Sequence, residues 1–145
     1  MKVVVIDDDP TGSQTVHSCP LLLRWDVDSL RRGLRHPSPL LFLLADTRAL
    51  TPTDAAERNR CIARALDQAL QREGLARDQV LLVSRGDSTL RGHGVLEPEI
   101  LQAAFGPFAA TFHVPAFLEG GRTTVNGVHL LHGEPVHTTP FAQDR

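Results

Sequence analysis

The sequence predicts an α/β fold: an open, mainly parallel sheet with flanking helices, plus a C-terminal β-hairpin extension. Three observations carry this. Short apolar runs alternate with segments of helical periodicity, the pattern of a parallel α/β sheet rather than a sandwich. The first run, Val3-Val4-Val5-Ile6, is β-branched and lacks polar alternation, as expected of a strand buried on both faces. Near the other end, Thr123 to Leu131 contains Asn126-Gly127, the signature of a tight hairpin.

The elements follow in order. After the first strand, Pro20 to Arg24 reads as a short second strand. Asp26 caps a helix over Val27 to Leu34, with Gly33 close to its end. Leu40 to Ala45 is another buried strand, entered through the breaker His36-Pro37-Ser38-Pro39. The strongest helix runs from Pro52 to Glu73. Thr51 is its N-cap, Pro52 its first residue, Asp54 complements the positive N-terminus, and Gly74 ends it. Ala55, Ile62, Ala65, Leu66, Ala69 and Leu70 fall on one stripe, leaving Arg58, Arg60, Arg64, Asp67 and Arg72 on the solvated side. Val80 to Val83 is a strand, Glu97 to Phe105 a helix with Pro98 in its first turn, and Thr111 to Val114 a fourth parallel strand. Glu119-Gly120-Gly121 is a loop before the hairpin, and His132 to Arg145 is proline-rich and polar, without periodicity.

At 145 residues the chain is expected to form a single substrate-binding domain, 1–145, burying roughly two-thirds of its unfolded surface, so neither disulfides nor a structural metal is needed. Cys19 and Cys61 match no metal-ligand or redox spacing and read as reduced cytoplasmic thiols. Met1-Lys2-Val3 leads straight into a strand, which is not a signal peptide, and no apolar run is long enough to cross a bilayer. With 15 basic against 17 acidic residues, net −2, nucleic acid is not an expected partner. Lys2 is the only lysine; the other cations are arginines. No closing helix follows the hairpin, so a fragment of something longer is expected.

Two motifs carry chemistry, each directly after a buried strand, where open α/β sheets bind ligands. In Asp7-Asp8-Asp9-Pro10-Thr11-Gly12-Ser13, three adjacent carboxylates repel one another and make sense where a cation, a sugar hydroxyl or a proton is handled. Thr11 and Ser13 add hydroxyls, and Gly12 lets backbone approach a ligand closely. The plainer reading is a solvated turn with capping aspartates. In Ser84-Arg85-Gly86-Asp87-Ser88-Thr89-Leu90-Arg91-Gly92-His93-Gly94, arginines suited to a carboxylate or phosphate converge with an acid and two hydroxyls. Here the plainer reading is an internal Asp87–Arg91 ion pair bracing a loop. Asp46-Thr47-Arg48 and Gly120-Gly121-Arg122-Thr123 each add an arginine beside a hydroxyl after a strand. His129, His132 and His137 are close in sequence but point different ways, so no metal site is expected. No Gly-x-x-x-x-Gly-Lys-Ser/Thr or Gly-x-Gly-x-x-Gly phosphate loop is present.

Asp8-Asp9-Pro10-Thr11-Gly12, Asp87-Ser88-Thr89-Leu90-Arg91-Gly92-His93 and Gly121-Arg122-Thr123-Thr124-Val125-Asn126-Gly127-Val128 together resemble the four-carbon acid sugar kinase family, in particular its N-terminal substrate-binding domain. The likeness runs from end to end, and the Asp-Ser-Thr-Leu-Arg-Gly run is its specific part. Asp7, Pro10 and Gly86 depart from the family's common residues without removing a functional group. The resemblance implies an ATP-dependent kinase, a transferase acting on threonate, erythronate or close relatives. ATP and Mg2+ would bind a C-terminal domain absent from these residues, so the isolated chain is expected to be inactive. Its partners would be a small anionic sugar acid and that ATP-binding domain; a homo-oligomer is left open.

Phosphoryl transfer asks the protein chiefly for positioning and electrostatics. Asp8 and Asp9 are assigned to sugar hydroxyls, either one accepting the proton. Arg91, with Arg48 or Arg122, would hold the substrate carboxylate. Asp87 and Ser88 would bind hydroxyls or orient Arg91, with Thr11, Gly12, Thr89, Gly92 and His93 completing the site. Two other readings compete. Asp7-x-Asp9-x-Thr11 also fits a haloacid-dehalogenase-like phosphatase with Asp7 as nucleophile and Asp9 as general acid, though Lys2 is badly placed for its lysine. A stand-alone hydroxy-acid-binding protein would use the same binding residues. The kinase reading needs the acidic turn and the arginine turn at the same edge of the sheet.

Overall fold

The computed structural model describes residues 1–143. Four strands form one wholly parallel sheet: β1 (Lys2–Asp7), β2 (Leu21–Leu22), β3 (Leu40–Leu44) and β4 (Val80–Arg85), in the order β2-β3-β1-β4. Alternation along the strands sends Val4, Ile6, Leu41 and Leu43 to one face. That face takes α1 (Val27–Arg35), α2 (Pro52–Glu73) and α3 (Leu96–Phe105) through Leu30, Leu34, Ile62, Leu66, Leu70, Leu101 and Phe105. The central helix is α2, against which both α1 and α3 pack. Val5 and Phe42 are buried on the opposite face, where Leu81 of the edge strand stays 49% exposed.

Local signals explain the helix ends. Asp26 caps α1 by accepting from the Ser29 N–H at 2.9 Å, and the helix continues through Gly33 to Arg35. Thr51 accepts from the Asp54 N–H at 3.2 Å, and Gly74 closes α2 in the left-handed conformation, φ 67°. One residue of the expected solvated side differs: Arg58 folds inward over Trp25 and donates to the carbonyls of Ala45 and Asp46 at 2.9 and 2.8 Å. A long guanidinium stem reaches unsatisfied strand-end carbonyls that helical periodicity does not show.

The hairpin forms as expected, β5 (Arg122–Val125) against β6 (Val128–Leu131), with Asn126 and Gly127 at φ 51° and 77°. A third short strand, β7 (Glu134–Pro135), pairs antiparallel with β6. Thr111 to Val114 is a correction: it lies outside any strand, with Phe112 86% and Val114 75% exposed. Its letters suit a buried strand, but it finds no ladder partner; the short strand expected at Pro20 to Arg24 forms over Leu21–Leu22 and completes the four-stranded sheet. Among the described residues no helix is long and apolar enough to cross a membrane.

The parallel register sets the geography. Asp7 pairs with both Leu44 and Arg85, so β1, β3 and β4 end at a common edge. Lys2 pairs with Val80 at the opposite edge, where its Nζ donates to the carbonyls of His36 and Ser38 at 2.6 and 2.5 Å.

Candidate functional site

The acidic turn begins inside the protein. Asp7 and Asp8 are 1% and 2% exposed. Arg85 Nη1 donates to Asp7 Oδ1 at 3.2 Å, while Asp7 Oδ2 is buried without a partner among the described residues. Burial pushes the Asp7 carboxyl up, against the pull of Arg85. This arrangement does not suit a phosphatase nucleophile: Asp7 is shut away and ion-paired, and Lys2 is at the far end of the same strand, about 16 Å off at the usual rise per residue. Gly12 presses on the pair, since a Cβ there would overlap the Asp7 carboxylate and the Arg85 guanidinium. Asp9 caps the 3-10 turn Pro10–Thr15, accepting from the Thr11 N–H at 2.8 Å and from the Thr11 hydroxyl. Those bonds, with Arg48 and Arg85 nearby, hold the Asp9 carboxyl below the ordinary range.

The loop after β3 folds over this turn. Thr47 and Arg48 donate their N–H groups to the Asp8 carbonyl at 2.9 and 3.1 Å. Arg48 then grips the Asp8 carboxylate with two bonds, Nε to Oδ2 at 3.0 Å and Nη2 to Oδ1 at 2.8 Å, and its Nη1 lies 3.3 Å from Asp9 Oδ2. This is the fork geometry that only arginine provides. Burial works against the Arg48 charge, but bonding to Asp8 outweighs it and raises its pKa.

The arginine turn arrives at the same place. Arg91 Nε donates to Asp87 Oδ2 at 2.6 Å, and the Thr89 hydroxyl donates to the same oxygen. Burial would raise the Asp87 carboxyl, but these bonds bring it down to about 2. The ion pair that the sequence offered as a loop brace is therefore present. Gly92 faces the acidic turn: a methyl there would lie 3.4 Å from Asp8 Oδ2 and 3.3 Å from Arg48 Cγ. His93 Nε2 is 3.0 Å from the Leu50 carbonyl. Between the two loops is a cleft of about 390 Å³ lined by Arg48, Leu50, Leu90, Arg91, Gly92 and His93.

The antiparallel sheet is tied to the arginine turn. His129, 7% exposed, donates from Nε2 to the Ser88 carbonyl at 2.6 Å, and its Nδ1 lies 3.0 Å from the Thr124 hydroxyl. Ser88 is thus tied through its backbone. The guanidiniums of Arg91 and Arg122 lie 5.2 and 5.8 Å from the centre of the Phe141 ring, and Arg122 Nε is buried without a partner among the described residues. So Asp8, Asp9, Arg48, Asp87, Thr89, Arg91, Gly92 and His93 come together at one edge of the sheet; Thr11 and Gly12 form its acidic shoulder. Arg122 joins through Phe141.

Sequence reasoning missed Arg85 as the partner of Asp7, Phe141, and a buried group behind Arg48. Glu97 is 2% exposed and accepts on Oε1 from the Thr47 hydroxyl and from Asn59 Nδ2 at 3.2 Å. Acidic residues in a first helical turn are ordinary, so nothing local marked it. Burial, and then the nearby Asp8 charge, push the Glu97 carboxyl up. A carboxyl raised in the folded state favours folding as pH falls through its folded pKa toward its unfolded one, and opposes it above. Glu97→Gln is therefore expected to raise the thermal midpoint at pH 8, with a gain that shrinks toward pH 4. A gain independent of pH in melting curves contradicts a raised Glu97.

The fold and the cleft define a parallel α/β domain with a polar cleft at the carboxyl ends of its strands. Residues 3–145 match the family model described as the sugar-binding N-terminal domain, and the chain belongs to that family. It is 31% identical over 151 residues to the D-erythronate kinase of Heliobacterium modesticaldum (strain ATCC 51547 / Ice1), covering 99% of this chain and 32% of that protein. The chain thus spans about a third of that relative's length. The resemblance read from the three motifs agrees with both findings.

Proposed function

We propose that this chain is the sugar-acid-binding part of an ATP-dependent kinase phosphorylating four-carbon acid sugars of the threonate and erythronate type. The observation that carries this reading is the meeting of the two turns: Arg48, clamped on Asp8, shares the cleft wall with Arg91, Gly92 and His93. A sugar acid needs cations for its carboxylate and acceptors for its hydroxyls; Arg48 and Arg91 line this cleft, and the acidic turn lies directly behind Arg48 and Gly92. This reading assigns the carboxylate to Arg91, which lines the cleft, with Arg122 packed on the same Phe141 ring. The Asp9 side chain is 25% exposed against 1% for Asp8, so Asp9 is the better placed to meet a hydroxyl and take its proton, with Asp8 orienting it through Arg48.

Magnesium and ATP do not fit this chain's own residues. Among the described residues no group of three or more His, Cys, Asp or Glu could hold a metal ion. Both Asp8 oxygens are taken by Arg48, and the sequence has no phosphate loop. Both belong in this reading to a separate ATP-binding domain, consistent with the share of the relative that the chain spans. What remains for these residues is to bind the acid, exclude water from it and accept a hydroxyl proton.

The test is calorimetric titration with D-erythronate and with D-threonate. Binding of at least one is expected, and Arg91→Ala is expected to weaken it by about 2 kcal/mol, roughly thirtyfold, the scale of a charged hydrogen bond. Folded protein that binds neither acid at millimolar concentration rejects the reading. Unchanged affinity in Arg91→Ala removes Arg91 from the site.

A further inference from the structure

Thr47 and Glu97 are both buried, at 0% and 2% exposure, and neither reaches the cleft, yet they are joined by a hydrogen bond 50 positions apart in sequence. Around Glu97 three elements meet. Its Oε1 receives Thr47 from the β3–α2 loop and Asn59 from α2, and its own N–H donates to the His93 carbonyl at 3.1 Å. Asn59 is itself tied to the Ala55 carbonyl at 3.1 Å, so it is a fixed donor. A carboxylate is a costly group to bury. The helix N-terminus would account for an exposed acid, as at Glu99 in the same turn, but not for one turned inward.

The neighbour of Thr47 supplies a reason. Arg48 follows it directly and makes the fork on Asp8. A guanidinium at the end of a long stem holds its geometry only if the loop beneath it is fixed. Arg58 fixes that loop from α2 through the carbonyls of Ala45 and Asp46, and the Thr47 hydroxyl fixes it from α3 through Glu97.

We propose that Glu97 is a positioning residue for the cleft: by holding the Thr47 hydroxyl it sets the loop from which Arg48 clamps Asp8 and Asp9, so that the acidic turn is aimed before a ligand arrives. The inference rests on the sugar-acid reading for its consequence in binding, but its structural half stands without a ligand. The decisive variants are Thr47→Val, which keeps the shape and removes the hydroxyl, Thr47→Ser, which keeps the hydroxyl, and Glu97→Met, which removes the acceptor. Affinity for D-erythronate is measured by calorimetry, and exchange of the Arg48 amide, which donates to the Asp8 carbonyl, by NMR on the ligand-free protein.

Thr47→Val is expected to weaken binding about tenfold and to speed Arg48 exchange, Glu97→Met to do the same, and Thr47→Ser to restore most of both. Arg48→Lys keeps a cation against Asp8 and serves as the second background. There Thr47→Val should weaken binding by less than about threefold more, because its effect passes through Arg48. Equal losses in the two backgrounds overturn the proposal. So does a lowered thermal midpoint with unchanged affinity and exchange. If the wild-type chain binds neither four-carbon acid, the sugar-acid reading falls, and Arg48 exchange in the same variants still decides for or against the positioning role.

Discussion

Replacing Arg48 with alanine is expected to cost the fold about 4 kcal/mol and to abolish binding of a sugar acid, the largest effect of any single change at the site. Asp8 is 2% exposed and directs both carboxylate oxygens at Arg48. Without the guanidinium, a buried carboxylate loses its counter-charge and two hydrogen bonds together. Asp9 loses its 3.3 Å contact with Nη1 as well, so the exposed acid is released along with the buried one. For a domain of this length, 4 kcal/mol corresponds to a fall of about 12 °C in melting temperature. Thermal melts near pH 7 measure it, and a loss below about 1 kcal/mol would mean that Asp8 finds another partner, which the observed geometry does not offer.

Gly12→Val should come second, with a loss of about 3 kcal/mol and no measurable acid binding. Gly12 is buried with its α-carbon against the Asp7–Arg85 pair. Arg85, 38% exposed, can swing aside; Asp7, 1% exposed at the end of a central strand, cannot. The 3-10 turn must lift instead, and Asp9 caps that turn and moves with it. Gly12→Ala should show the same losses on a smaller scale. Wild-type melting and affinity in Gly12→Val would show that the turn yields without disturbing Asp9, and would remove Gly12 from the account of the site.

What the sequence revealed divides along a physical line. The helix from Pro52 to Glu73 was legible to the residue because Thr51, Pro52, Asp54 and Gly74 act locally on their own chain ends. The meeting of Asp8 with Gly92 was legible because parallel strands carry their carboxyl ends to one edge, so two motifs that each follow a strand become neighbours. Thr111 to Val114 was misread because strand formation needs a partner, and no run of letters states whether one is in reach. Glu97 was missed for a related reason. Its position beside Pro98 looks like ordinary helix-start chemistry, and only packing shows that the side chain turns inward to Thr47 and Asn59. Arg48 was foreseen as a ligand contact equal to Arg122. The structure gives it two carboxylates to hold, a commitment set by the fold of a loop that sequence spacing does not describe.

The lone lysine has a practical corollary. Lys2 is at the pole of the sheet where the strands begin, and partial burial lowers the Lys2 pKa. Reagents that attack lysine side chains therefore meet these residues only at the edge opposite the cleft. Tethered to a biosensor chip or tagged with a fluorophore by that chemistry, every molecule would point its cleft the same way, outward into solution.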